Sequence, residues 1–300
     1  MTPERSPLYG SLALFAGAFA VGFSPIFVRL SEVGAVATGA YRVALSLPLL
    51  FALLAMRARR QPGAVGIAPA DRRRLILAGV LFAGDLAFWH WSIGHTSVAN
   101  AAFFATFTPV FVAAGAWLVL AERVTPGFVL GLAVSLAGAG FLAGASVNLS
   151  PAHLLGDAFG LITAMFFSAY LLAVKPLRRR HSAVSILAWS GTVTAPALLL
   201  LAVLLGETIL PRSLEGWLVL IALAWLSHAA GQGLVAQALA HLPASFSATA
   251  LLSEAVFAAI LGWVFLAEPV GVLQALGGAL VLLGIYLARP RRPTADPVMP

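Results

Sequence analysis

The sequence predicts an all-α integral membrane protein with ten transmembrane helices, arranged as two inverted five-helix repeats around a central cavity. Three observations lead to this fold class: the composition, the recurrence of apolar segments, and an internal duplication. Of the 300 residues, 61% are hydrophobic and 10% are charged, and the mean hydropathy is +0.97. Soluble domains are roughly 45–50% apolar and about 25% charged. The chain therefore belongs in a lipid bilayer.

Ten apolar segments of about 17 to 24 residues recur along the chain. Each is long enough to cross a hydrocarbon core about 30 Å thick at about 1.5 Å per helical residue. The connections between them are short, which leaves no room for a sizeable soluble domain. We refer to the segments as spans 1 to 10 and expect them at 9–30, 36–56, 74–93, 98–120, 127–145, 155–174, 184–205, 215–238, 244–266 and 271–288.

The first half of the chain repeats in the second half at a constant offset of about 146 residues. The clearest match aligns 110–124 with 256–270. The residues that recur include tryptophan, glutamate, histidine and several glycines: Trp117 and Trp263, Glu122 and Glu268, His95 and His241, Gly10 and Gly156, Ala18 and Ala164, Gly131 and Gly277, and Gly138 and Gly284. A duplicated membrane unit is typical of transporters.

Each repeat contains five spans, so the second copy enters the membrane in the opposite sense to the first. We therefore expect two units, at 8–145 and 154–288, related by a pseudo-two-fold axis in the membrane plane. A basic cytoplasmic tail at 289–300 follows them.

The basic residues are distributed unevenly between the two sides of this trace. Fifteen of the 18 Lys and Arg residues fall on one side. Thirteen of them are clustered between spans 2 and 3, between spans 6 and 7, and after span 10, and the other two are Arg5 before span 1 and Arg123 after span 4. The positive-inside rule places that side, and both termini, in the cytoplasm. The net charge of +7 is thus explained by orientation, and no nucleic-acid partner is implied. The chain has no cysteine, which excludes disulfides, thiolate metal sites and cysteine nucleophiles.

The five-span unit resembles the EamA family of the drug/metabolite transporter superfamily. The resemblance rests on Pro109-Val110-Phe111 leading to Leu120-Ala121-Glu122, on a glycine-rich fifth span, and on the matching series in the second copy, and it covers roughly 8–288. It implies a basket-like cavity formed by the inner spans of both repeats, with spans 5 and 10 at the periphery, and passage of small metabolites by alternating access. Among bacterial branches the chain is most similar overall to exporters of amino acids, including aromatic ones. This implies export across the bacterial inner membrane.

Ionisable residues at membrane depth are costly and usually face a cavity or another helix. On span 3, Asp85 and His90 meet this description, and Trp89 lies one turn from Asp85 on nearly the same face. An aromatic wall beside hydrogen-bonding groups suits a small amphipathic solute. The alternative is that Trp89 belongs to an interfacial belt and His90 bonds a neighbouring helix.

The second repeat supplies polar groups that the first lacks. His228 and Gln232 lie one turn apart on span 8, and Glu254 lies near the middle of span 9. His228 and Gln232 either line the cavity or tie helices together. Glu254 carries a proton, binds a substrate amino group, or forms a structural pair with Arg42 or His228, the last being the leading expectation. Tyr41 and Arg42 on span 2 are candidates for binding a substrate carboxylate.

Prolines and aromatic residues complete the candidate set. Pro25 and Pro109 predict kinks and are candidate hinges, because proline removes a backbone hydrogen bond. Phe103, Phe107 and Tyr170 are candidate cavity residues, although lipid or helix packing is the commoner role for such side chains. We expect Glu122 and Glu268 to fix the turn into the following helix in each copy. Gly140 and Gly144 form a small-residue motif that predicts a packing face, within the monomer or across a dimer.

The sequence contains none of the motifs of common enzyme classes, no phosphate-binding loop and no spacing typical of metal ligands. We therefore expect a transporter without cofactor or metal, driven by a gradient. Its expected partners are a small-molecule substrate, the lipid bilayer and, as a candidate coupling ion, the proton. The alternative to amino-acid export is export of other small metabolites or of toxic amphiphilic compounds. A homodimer and a channel-like facilitator stay open as well, and an intramembrane enzyme is a weaker alternative.

Overall fold

The computed structural model describes residues 7–60, 67–96, 98–144, 150–267 and 270–290, and the regular structure within these ranges is entirely helical. In this part of the chain, nine helical segments are long and apolar enough to cross a membrane: Pro7–Arg29, Ala35–Arg60, Pro69–Ser92, Asn100–Leu120, Pro126–Ala143, Pro151–Leu177, Ala183–Leu204, Leu214–Ala238 and Ala244–Phe265. A shorter apolar helix, Val272–Ala288, follows with 17 residues. The expected spans lie close to these helices, and the largest difference is the start of span 3, expected at 74 and found at Pro69. Glu268, Arg5 and the tail beyond 290 lie outside the described residues.

Several spans consist of two helices separated by a short interruption. Span 1 divides into Pro7–Gly22 and Ser24–Arg29, span 2 into Ala35–Ala44 and Leu47–Arg60, and span 4 into Val98–Ala105 and Thr108–Leu120. In spans 1 and 4 the interruption lies just before Pro25 and Pro109, where the proline nitrogen has no hydrogen to donate. The helices are therefore interrupted where the sequence predicts kinks.

Span 9 is also interrupted, between Ala244–Leu251 and Ser253–Leu266, although no proline is present there. The Ser253 hydroxyl donates to the Ala250 carbonyl at 2.7 Å. A hydroxyl that bonds back to the preceding turn competes with the helical ladder and bends helices. The interruption places Glu254 in the first turn of the second helix. Sequence reasoning that looked only for proline missed it.

Span 8 changes helix type along its length. It begins as the α-helix Leu214–Ala222, widens to π-helical turns over Leu223–Gln232, and ends as the α-helix Gly233–Ala238. The wide part packs closely against span 1, where a Cβ built on Gly17 would lie 2.9 Å from the Gly231 carbonyl oxygen. π-helical turns are rare and often occur at functional sites.

Spans 5 and 10 pack against each other through glycines. A Cβ on Gly131 would lie 2.5 Å from the Gly284 carbonyl oxygen, and a Cβ on Gly277 would lie 2.7 Å from the Gly138 carbonyl oxygen. Gly140 and Gly144 do not take part in this contact within the monomer, and the packing face that they form across a dimer stays a prediction. Gly140 faces Phe103, and Gly144 ends the helix at a φ of 63° with nothing within 4 Å of a built Cβ.

Contacts on the two sides of the bundle recur at the offset of the duplication. A Cβ on Gly10 would lie 2.7 Å from His241, and a Cβ on Gly156 would lie 2.6 Å from the backbone of His95. The Ser135 hydroxyl donates to the Val281 carbonyl at 3.3 Å, and these two residues are 146 positions apart. Ala121 and Ala267, also 146 positions apart, both have a φ of 54°.

Carboxylates from elsewhere in the chain cap the first turns of three spans, where backbone N–H groups lack helical partners. Glu207 accepts from the amides of Val36 and Ala37. Glu32 accepts from the amides of Arg212 and Ser213 and from the Ser213 hydroxyl. The Ser213 hydroxyl, followed by the Arg212 amide, holds the pKa of the Glu32 carboxyl below its ordinary value.

Glu122 is the third of these capping carboxylates. It accepts from the Ala244 amide at 2.8 Å and from the amide and hydroxyl of Ser245, and Lys175 lies 3.9 Å away. The expectation that Glu122 fixes the turn into span 5 is corrected, because the helix that it caps is the start of span 9. Glu122 thus joins the end of span 4 to the second half of the chain.

Candidate functional site

A cavity of about 430 Å³ lies among the spans. Its lining residues on spans 1 to 5 come from the same end of the bundle, as shown by Pro25 on span 1, Gly39 on span 2 and Ala143 on span 5. We call this the cavity end; it contains residues 29, 35, 95, 98 and 143. The opposite end, which contains residues 60, 69, 120, 126, 177 and 183, carries the arginine clusters and is called the basic end.

Three charged residues from three different spans line this cavity: Arg42, Asp85 and Glu254. The Arg42 Nη1 donates to the Ser24 hydroxyl at 3.2 Å, and the Arg42 Nε is buried without a hydrogen-bond partner. Ser24 reaches Arg42 because it begins the short helix after the interruption of span 1.

The expected structural pair of Glu254 with Arg42 or His228 is not formed. Across the described residues, no ion pair within 4.0 Å joins Glu254 to either partner. Glu254 and Asp85 also receive no side-chain hydrogen bond from the protein in that part of the chain, yet both line the cavity. A buried charge without a partner is expensive. These carboxyls are therefore available to a solute, to water or to a proton.

His90 and Trp89 also line the cavity, next to these charges. The His90 Nδ1 bonds the Leu86 carbonyl of its own helix, and its Nε2 is buried without a partner. The alternative in which His90 bonds a neighbouring helix is therefore not what the structure contains. The Trp89 ring meets the His90 ring edge-on, with centroids 5.0 Å apart. Gly39 of span 2 leaves room for the imidazole, whose Cε1 lies 3.4 Å from a built Cβ.

Of the remaining candidate residues, Gln232, Phe103, Pro25 and Pro109 line the cavity. His228 and Tyr170 do not line the cavity; both pack on Phe82, which does, with ring centroids 5.5 Å and 4.9 Å from the Phe82 ring.

Phe107 and Tyr41 are not among the lining residues either. Phe107 packs on Phe103 and Phe104. The Tyr41 hydroxyl donates to the Ile209 carbonyl at 2.7 Å, which ties span 2 to the connection before span 8.

Several lining residues were missed by the sequence reasoning. Phe82 joins the aromatic wall, and the hydroxyl residues Ser24, Thr38, Thr106, Thr108 and Thr163 add polar groups. Ser24 and Thr108 each directly precede a predicted kink proline. That position was the available signal, because an interrupted helix exposes its polar groups to whatever lies beside it.

No group of three or more His, Cys, Asp or Glu side chains that could hold a metal ion occurs in the described ranges.

The model of the EamA-like transporter family matches the chain twice, at residues 8–144 and 154–289.

The chain belongs to the EamA-like transporter family. It is a multi-pass membrane protein, and this family membership points to a transporter rather than an enzyme. The family named from the sequence motifs is thereby confirmed.

The chain is also similar to two curated relatives, and one solved structure shares its fold. The chain is 26% identical over 253 residues to the pseudopaline exporter CntI of Pseudomonas aeruginosa, from strains UCBPP-PA14 and PAO1, covering 84% of this chain and 85% of the relative. A crystal structure with 18% sequence identity has the same fold, with a TM-score of 0.78 over 94% of this chain and 97% of the other. These relatives are named for pseudopaline rather than for an aromatic amino acid.

Proposed function

We propose that this protein is a secondary transporter that exports amino acids, aromatic or large neutral ones, across the bacterial inner membrane by alternating access. The observation that carries the proposal is the composition of the cavity. One guanidinium and two carboxyls face the same space without forming ion pairs to one another, beside an aromatic wall. A zwitterion with an apolar side chain has the complementary groups.

The binding arrangement follows from these positions. The substrate carboxylate binds Arg42, whose planar guanidinium suits two parallel hydrogen bonds to a carboxylate. The substrate ammonium binds Asp85 or Glu254, and the substrate side chain packs on Trp89 and Phe103. His90 Nε2 and Gln232 supply further hydrogen bonds. A cavity volume of about 430 Å³ falls within the range of roughly 300–1,000 Å³ for small-molecule sites.

The transport cycle rests on ten spans in two inverted repeats, at 8–145 and 154–288. Two matches of one family model and the recurrence of contacts at an offset of 146 residues support this arrangement. The distribution of Lys and Arg supports cytoplasmic termini. Inverted repeats favour alternating access, in which one half of the bundle moves against the other around a fixed site. Pro25 and Pro109 are the hinges that we propose for this motion.

The driving force is a gradient of the substrate or of protons. Glu254 is the candidate proton site, because its carboxyl lines the cavity with no hydrogen bond and no ion pair within 4.0 Å to the described part of the chain. In proteoliposomes, Glu254→Gln is expected to abolish stimulation of flux by a pH gradient while exchange of substrate continues. Full retention of that stimulation would remove Glu254 from the coupling mechanism. Asp157→Asn, at a buried carboxyl that accepts from Thr96 and Asn100, is the control.

A second candidate substrate is pseudopaline, which is supported by the two relatives at 26% identity. A second mechanism is a channel-like facilitator, which would give flux that does not saturate. The molecular mass of the purified protein in detergent would show whether it binds further partners, including a second copy of the chain.

Binding of labelled phenylalanine to purified protein tests the proposal. Arg42→Gln is expected to weaken phenylalanine binding about tenfold or more, because a hydrogen bond to a charged group contributes about 1.5–3 kcal/mol. Binding of phenylethylamine, which lacks the carboxylate, is expected to stay the same. Arg57→Gln, at an exposed arginine of the same span, is the matched control.

Three results would count against the assignment. Equal loss for both ligands in Arg42→Gln would refute the carboxylate contact. Trp89→Ala without any loss of phenylalanine affinity would refute the aromatic wall. Absence of amino-acid binding together with saturable binding of pseudopaline would replace the substrate class.

A further inference from the structure

A buried hydrogen bond between an aspartate and a histidine lies at the basic end of the bundle, far along span 3 from the cavity. The Asp71 side chain at the start of span 3 is 3% exposed, and its Oδ2 lies 2.9 Å from His181 Nε2. His181 directly precedes the Ser182 that caps span 7. Arg180 lies 3.8 Å from the same carboxylate oxygen, with its own side chain 70% exposed. The pair therefore fastens the start of span 3 to the start of span 7.

Arg178 extends this contact to span 8. It is 7% exposed, and its Nε donates to the Ala236 carbonyl at 2.8 Å. Its other nitrogens donate to Gln237 Oε1 and to the His181 carbonyl. A connected set of charge-assisted hydrogen bonds thus joins spans 3, 6, 7 and 8 at one end. We call Asp71, His181, Arg178 and Gln237 the basic-end network.

The positions that correspond by the offset of 146 carry unrelated side chains at the cavity end. Asp71 corresponds to Trp217, His181 to Ala35, Arg178 to Glu32 and Gln237 to Trp91. Trp217 packs edge-on against Tyr41, and Glu32 caps span 8. The duplication therefore supplies this network at one end only.

Spans 3 and 7 also approach each other closely on the basic side of the cavity. A Cβ on Gly79 of span 3 would lie 2.5 Å from the Ser190 carbonyl oxygen of span 7, and the Thr194 hydroxyl donates to the Gly79 carbonyl at 2.8 Å. The position equivalent to Gly79 is Trp225, whose indole donates to the Leu45 carbonyl across spans 2 and 8. The contact between spans 3 and 7 is thus made at a glycine, whereas the equivalent contact between spans 8 and 2 is made by a bulky ring.

We propose that the basic-end network is the latch that holds the bundle closed at the end opposite the cavity. This proposal rests on alternating access, because only such a cycle requires that end to open. Opening separates spans 3 and 7, which removes His181 from Asp71 and exposes both to water. Weakening the latch shifts the population toward the state that is open at the basic end and closed at the cavity end.

The lack of cysteine in the chain allows single introduced cysteines to report which end is open. Ala258→Cys reports on the cavity, and Ser190→Cys reports on the closed contact at Gly79. Each is labelled with a membrane-impermeant maleimide in right-side-out and inside-out vesicles. In the otherwise unchanged chain, Ala258→Cys reacts from one side, and Ser190→Cys, at a 5% exposed position, reacts slowly from both.

Adding Asp71→Asn or His181→Ala is expected to raise Ser190→Cys labelling from the side opposite to the cavity about tenfold, the effect of losing one charge-assisted hydrogen bond. Ala258→Cys labelling from the cavity side falls in the same variants. His181→Gln keeps an N–H donor and is expected to label more like the unchanged chain. Asp157→Asn, at a buried carboxyl of the cavity end, does not raise Ser190→Cys labelling.

Unchanged labelling of both reporters in Asp71→Asn and His181→Ala would overturn the latch. A rise of labelling at both reporters would also overturn it, because that pattern reports a loosened protein rather than a switched one. If one variant does not fold, the other carries the test, and neither needs a known substrate. A failed latch therefore leaves the amino-acid proposal standing, and a failed amino-acid assay leaves the labelling result standing.

Discussion

Replacing Gly138 by alanine tests the contact between spans 5 and 10. The new methyl group would lie 2.6 Å from both the Gly277 carbonyl oxygen and the Val281 amide nitrogen, where ordinary contact begins at 3.4 Å. Both obstacles are backbone atoms, so no rotamer change relieves them, and the two helices must separate by about 0.8 Å. Over-packing of this kind costs about 1–3 kcal/mol. The separation also breaks the bond from Ser135 to Val281, which is already 3.3 Å long.

Gly140→Ala on the same helix is the matched control. Its methyl group would meet only Phe103 at 3.5 Å, an ordinary contact. Both substitutions gain the same helix propensity of about 1 kcal/mol, so the difference between them isolates the clash. We expect Gly138→Ala to unfold at a lower denaturant concentration than Gly140→Ala when unfolding in detergent is measured by circular dichroism. Equal midpoints for the two variants would refute the glycine contact.

Further predictions concern the connections and span 8. Glu207→Gln is expected to lower the free energy of unfolding by about 1 kcal/mol, because it weakens the cap of span 2; denaturant unfolding against Glu215→Gln, at an exposed carboxyl, checks this. Hydrogen exchange at 212–216 is expected to increase below about pH 4.5. The bonds from Ser213 and Arg212 lower the pKa of Glu32, so its carboxyl stabilises this segment only while ionised, and that stability is lost as the pH falls through the lowered pKa. Glu32→Gln should remove the increase, and an unchanged exchange profile would contradict the cap. Trp225→Phe is expected to cost about 1 kcal/mol through the lost bond to Leu45, whereas Trp189→Phe should cost less, and equal losses would argue against that bond.

Much of the helical framework follows from the sequence alone. Apolar segment length fixes the spans because the bilayer allows few alternatives. Pro25 and Pro109 mark two interruptions because their missing N–H is readable from the residue type. The interruption before Glu254 has no proline to mark it, although it lies at the offset of 146 residues from the interruption of span 4. The π-helical turns of span 8 were not predicted from the residue types.

The site was predictable by residue type but not by orientation. Arg42, Asp85, His90 and Glu254 stand out because ionisable groups at membrane depth are rare, and all four line the cavity. Whether His228 lines the cavity or packs on Phe82 depends on the rotation of span 8, which sequence spacing does not fix.

The partner of Glu122 was also hidden, because the capped helix lies 122 residues further along the chain. Pairing between distant helices is a property of the packed bundle, so local sequence carries no signal for it.

The central claim, alternating access by an amino-acid transporter, is tested most directly by counterflow in proteoliposomes of the purified protein. Vesicles loaded with unlabelled phenylalanine are diluted into a trace of labelled phenylalanine, with and without an imposed pH gradient. Alternating access predicts a transient accumulation of label above equilibrium that saturates with concentration and is absent in Arg42→Gln but present in Arg57→Gln. Uptake that is linear in concentration and shows no overshoot would contradict alternating access and indicate a channel-like facilitator. Absence of phenylalanine uptake, together with an overshoot of pseudopaline, would contradict the proposal that the substrate is an amino acid.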